Sequence, residues 1–161
     1  MRPLLFVAVF AGGCANLSGA PLTGSISATF NGAPFSPEFG IARTLMPPED
    51  AHGTMEVQLS EAPVNCDHYA SVTSFAGDGK YIRLVLAGPV TGDYMNRALT
   101  VEDWKTENHL STPRMAIESM SASGTISTVD VQHVVGTVMW DASGSTVSAQ
   151  VNGNFDVAHC P

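Results

Sequence analysis

The chain has 161 residues, 15 of them acidic against 7 basic, for a formal net charge of −8 at pH 7. That balance argues against nucleic acid as a partner, since phosphate neutralisation needs clustered Lys and Arg, and it sets the surface against anionic headgroups. The length suits one domain with a sizeable interior.

The first stretch, Met1-Arg2-Pro3-Leu4-Leu5-Phe6-Val7-Ala8-Val9-Phe10, is a basic start followed by a short apolar run, and small residues come next. That is the layout of a secretory signal, and the run is too short for a spanning helix of about 20 residues. Ala11-Gly12-Gly13-Cys14 resembles the lipobox of bacterial lipoproteins, in which small residues precede a cysteine that is acylated and becomes the mature N-terminus. Ala11 stands where that family usually carries a larger aliphatic residue. The resemblance implies that residues 1–13 are removed and that lipid on Cys14 anchors the protein. An Asp after the cysteine commonly retains such proteins in the inner membrane, and Ala15 there points to the outer membrane. The alternative is cleavage after Ala20, which leaves Pro21 at the new terminus and discards Cys14. The expected location is therefore the bacterial cell envelope. With Arg2 removed, the net charge becomes one unit more negative.

Residues 14–23 are small and polar and read as a tether, which at full extension holds the domain roughly 30 Å from the lipid. Residues 24–161 read as the single domain. From Ser25 the dominant period is two. Ser25–Phe30, Met55–Leu59, Tyr81–Leu86, Met115–Glu118, Ser123–Val131, His133–Trp140 and Thr146–Val157 alternate polar with apolar side chains, rich in Val, Thr and aromatics. Such alternation marks half-buried strands. Asp78-Gly79 and Asp141–Ser145 supply turns, and Asn152-Gly153 predicts a bulge in the last strand. Ser27–Gly32 and Ser148–Gly153 look alike, which raises either an internal duplication or a common strand-to-turn ending. Two passages do not alternate: residues 33–53 read as a Pro-rich surface loop with a short edge strand, and residues 89–113 as an excursion with a helical turn near Thr100–Trp104. The expected fold is all-β, an antiparallel β-sandwich of seven or eight short strands, with an open β-barrel as the alternative.

Three cysteines leave one over in an oxidising compartment. If Cys14 carries lipid, Cys66 and Cys160 form a disulfide. The rival is zinc on Cys66, His68, His159 and Cys160, but adjacent residues of a strand point to opposite faces. Asn152, Asn154 and Asp156 offer oxygens at alternating positions without the spacing of a calcium loop. His52, His109 and His133 are scattered. Glu102, Asp103, Glu107 and His109 read as an acid–base cluster or a solvated loop. Tyr94, Trp104 and Trp140 read as an aromatic platform for a sugar or as packing. The sequence has no nucleophile elbow, zinc-protease motif or phosphate loop.

The sum is a lipid-anchored, non-enzymatic structural or interaction module, resembling the many small β-rich bacterial lipoproteins with a cysteine near the C-terminus. No cofactor is expected. The expected partners are the membrane through the lipid, other envelope proteins or a glycan. The alternative is a binding module for a glycan or small molecule, with Tyr94 and Trp104 of the 89–113 region as candidate ligand-binding residues; a metal protein or enzyme is the remaining reading.

Overall fold

Among the described residues, alternating side chains build nine strands: β1 (Thr23–Phe30), β2 (Ala33–Phe35), β3 (Phe39–Thr44), β4 (Met55–Ser60), β5 (Gly79–Leu86), β6 (Gly92–Glu107), β7 (Leu110–Val129), β8 (His133–Ser143) and β9 (Ser148–Cys160). The computed structural model describes residues 19–45, 53–66, 78–107, 110–143 and 147–160. The leader, Cys14, His52, His68 and His109 lie outside the described residues.

The protein is all-β. Its strands follow the order β2-β1-β9-β3-β4-β5-β6-β7-β8, and a further β8–β9 pairing closes β3 to β9 into a seven-stranded barrel. Of the two architectures weighed from the sequence, the barrel forms, and it is closed. The deciding contact is a short parallel pairing of Ile41, Ala42 and Arg43 with Ala158, His159 and Cys160. Both a sandwich and a barrel produce the same alternation, so only this contact between distant segments separates them. Nor are all the strands short: β6 has 16 residues and β7 has 20. Three register shifts between these two strands bend them around the wall and erase the period-two signal there. Residues 89–113 are therefore mostly β6 and the start of β7, with Thr100–Trp104 in strand and not in a helical turn. Likewise the 33–53 passage contains β2 and β3.

The interior is filled by one cluster that includes Val57, Leu59, Ile82, Leu84, Leu99, Val101, Val138, Trp140, Val151 and Phe155. Burying each large side chain contributes about 1.5–3 kcal/mol. Trp140 satisfies its indole by donating Nε1–H to Ser119 Oγ at 2.8 Å.

The edge of β9 is shared. Ala149–Asp156 pair with β1, and only the last residues pair with β3. Below that seam the β1–β2 hairpin leaves β3 and carries Phe30 and Phe35 into the core. Its turn, Asn31-Gly32, has both residues at positive φ (51° and 75°), the two-residue geometry that matches strand twist. The expected bulge at Gly153 is absent, because pairing runs unbroken from Asn152 through Asn154 on both sides of β9. Gly153 serves close approach instead: a Cβ there would lie 1.9 Å from the Ser25 carbonyl oxygen.

A second apolar cluster lies on the outer wall, where Ile41, Tyr81 and Trp104 pack with Ala62, Val64 and Cys160. Residues read as the end of the tether take part: Ala20 donates its N–H to the Val64 carbonyl at 2.7 Å, and Leu22 donates to Glu38 at 2.9 Å. The fold thus begins before Thr23. The Cys66–Cys160 disulfide, with Cα atoms 5.4 Å apart, fastens the end of β9 to the segment after β4.

Candidate functional site

At one rim of the barrel the β5–β6 turn meets β7, with Gly92 opposite Ile126. Between them is a cleft of about 70 Å³, lined by Leu86, Val90, Asp93, Tyr94, Arg97 and Ile126 among others. Its arrangement depends on a bulge. Tyr94 pairs with Gly124 and Arg97 with Ala122, so Met95 and Asn96 together oppose the single residue Ser123. Asn96 adopts φ 54°, a left-handed conformation that asparagine tolerates better than most residues. In a regular strand, residues three apart face opposite sides. The extra residue restores the phase, so Tyr94 and Arg97 both turn toward the cleft while Met95 is left outside, 71% exposed.

Tyr94 is 8% exposed, and its hydroxyl donates to the Thr137 carbonyl at 2.6 Å. Burial pushes this phenol well above its ordinary pKa, so it stays a neutral donor. Its ring lies across Gly124, where a Cβ would come within 2.7 Å of the Tyr94 hydroxyl and 2.1 Å of the Thr137 oxygen. The tyrosine is therefore a fixed wall of the cleft, with its polar end already committed. Arg97 is different. Its Nε is buried without a hydrogen-bond partner. Asp93, at the same rim, accepts the Thr125 hydroxyl at 2.7 Å.

Two other cations stand beside carboxylates, although Arg83 Nε, like Arg97 Nε, is buried without a hydrogen bond. Lys80 Nζ lies 3.7 Å from Glu61 and 5.5 Å from the Phe35 ring centroid. Arg83 stands between Glu56 and Glu102, 3.8 Å from each. That network occupies the outer wall of β4–β6 beside Gln58, which is 2% exposed and whose Oε1 has no hydrogen-bond partner. Sequence reading singled out neither Arg83 nor Arg97. Asn96 within a strand was the available signal for the bulge, but the broken alternation hid the strand.

Trp104 does not share the cleft with Tyr94. Ten residues separate them along β6, roughly 30 Å in an extended strand. Trp104 is 5% exposed, donates Nε1–H to Glu102 at 2.7 Å and meets Tyr81 edge-on with centroids 6.3 Å apart. It packs the outer cluster, and Trp140 packs the interior, so the three aromatics form no common platform. Glu102 belongs to the Arg83 network, and Asp103 is the next residue on β6, in the alternate position.

The disulfide takes both cysteines of the zinc set. His159 is committed as well: its Nδ1–H donates to the Asp130 carbonyl, which leaves Nε2 to accept from the Thr44 hydroxyl at 3.2 Å. In the calcium set, Asn154 Oδ1 accepts the Ser25 N–H at 2.8 Å, and Asp156 pairs with His133 Nδ1 at 2.8 Å. Among the described residues no three His, Cys, Asp or Glu side chains are grouped to hold a metal ion. Comparison of the chain with protein-family models, with curated proteins and with solved structures finds no match.

Proposed function

We propose that this chain is an exported, lipid-anchored protein of the bacterial cell envelope, held at the outer membrane, whose barrel acts as a non-enzymatic structural or interaction module. The observation that carries the reading is the distribution of sulfur. Cys66 and Cys160 are joined to each other, which leaves Cys14, preceded by Ala11-Gly12-Gly13, as the remaining cysteine. A disulfide that pins the last strand suits an oxidising compartment. The filled interior also favours recognition at the surface over a ligand in the lumen.

The test is mass spectrometry of the full chain expressed in bacteria and extracted from membranes, before and after reduction. The expected species is Cys14–Pro161 carrying acyl chains, which gains a pair of hydrogens on reduction. Cleavage after Ala20, or an unacylated chain in the soluble fraction, would overturn the anchor.

A second reading, a binding module that uses the 89–113 region, is favoured by one feature: the rim cleft lined by Tyr94 and Arg97. Glycan stacking on Trp104 has no support, because that ring is buried.

A further inference from the structure

We infer that the side of the molecule carrying the start of β3 and residues 61–66 is the surface turned to the lipid bilayer, and that a short tether holds it there; this rests on the lipid-anchor reading above.

The tether is shorter than the sequence suggests. Residues 14–23 read as free chain, and ten residues reach roughly 33 Å at full extension. The structure removes the second half of that length. Leu22 donates its N–H to the Glu38 carbonyl at 2.9 Å. The Ala20 carbonyl accepts from the Gly40 N–H at 2.9 Å, and the Ala20 N–H donates to Val64 at 2.7 Å. These bonds lay residues 20–22 antiparallel against the start of β3, with Pro21 opposite Phe39. Gly19 is buried too: a Cβ there would lie 2.5 Å from the Phe39 ring and 2.7 Å from the Pro63 Cα. The chain is therefore held from Gly19 onward. Only residues 14–18 separate it from the lipid, and they reach at most about 18 Å.

The place where the tether ends decides which side faces the bilayer. Ala20 and Phe39 pack against the outer cluster of Ile41, Val64, Tyr81, Trp104 and Cys160. Seven strands about 4.8 Å apart give the barrel backbone a girth of at least roughly 34 Å. Half of that is already about 17 Å, and strand tilt and the outer side chains lengthen the path well beyond the tether. The anchored chain thus cannot pass around the barrel to let the opposite side meet the lipid. A free tether of ten residues would have left the orientation open.

β7 and β8 contribute nothing to the outer cluster. Their outer face, where Met120 is 63% and Met139 61% exposed, is accordingly turned away from the bilayer. Charge does not set this orientation. Glu38, exposed beside the pinned tether, is repelled by anionic headgroups, so the covalent link does the holding.

The experiment is methyl NMR of the full chain expressed in bacteria, its acylation confirmed by mass, in phosphatidylcholine nanodiscs with nitroxide-bearing headgroups. The nitroxide broadens methyl signals according to their distance from the bilayer surface, and no substitution is needed. The Ile41 and Val64 methyls should broaden at least twofold more than those of Met120 and Met139. Inserting twenty Gly and Ser residues between Ser18 and Gly19 keeps the pinned segment and frees the domain, so broadening should weaken and the difference should vanish. Met120 and Met139 broadened as much as Val64 in the parent would overturn the orientation while leaving the anchor intact. A difference that survives the insertion would overturn the tether as its cause. A chain without acyl groups would instead overturn the anchor itself, and the mass shows this before any spectrum is recorded.

Discussion

Replacing both Cys66 and Cys160 with alanine tests how the barrel is held shut. The disulfide joins residues 94 apart in sequence, so in the unfolded chain it closes a loop of that size. Loop-closure entropy scales from about 3 kcal/mol for 15 residues to about 4.7 kcal/mol for 100, which places this bridge at about 4.7 kcal/mol. Cys160 is 5% exposed in the cluster with Ile41, Tyr81 and Trp104, and losing its sulfur contacts adds less than about 1 kcal/mol. Domains of this size are stable by about 5–15 kcal/mol, so the variant should fold with a small margin. Urea unfolding followed by tryptophan fluorescence should show the midpoint falling and the slope rising, because the unfolded chain is free to expand. Reducing the parent protein should reproduce both changes. A loss below about 1 kcal/mol with an unchanged slope would refute the argument, because it would mean that the bridge does not restrict the unfolded chain.

Two further outcomes follow from single side chains. Gln58 is 2% exposed with Oε1 unbonded, so Gln58→Leu, close in volume, should raise stability by about 1 kcal/mol in the same urea assay; a comparable loss would show that the amide is satisfied. Asp130 accepts backbone N–H groups from Gln132 and His133 at 2.7 Å each, and these bonds hold its carboxyl below the ordinary 3.8. A depressed folded pKa gives stability that is present above 3.8 and is lost as pH falls through the folded value. Asp130→Asn retains an accepting oxygen without the titration, so it should flatten the acid limb of the stability–pH curve. An unchanged limb would assign the dependence to other carboxyls.

Much of this protein was legible before its fold, for local reasons. Alternation in Tyr81–Leu86 and His133–Trp140 fixes which side chains go inside, because the side-chain period of a strand is set by the backbone itself. The pairing of Cys66 with Cys160 followed from counting, once Cys14 was set aside. The tertiary structure decided whatever depends on two distant segments meeting. Closure of the barrel rests on Ile41 lying beside Ala158, a contact with no signature in either segment. The exclusion of Trp104 from the cleft rests on β6 running from one rim to the other, where the sequence suggested an excursion. The candidate site itself was hidden because a bulge inverts the pattern by which strands are read. One extra residue at Asn96 moves Arg97 from the solvent side to the cleft, and only its pairing partner across the sheet reveals the change of phase.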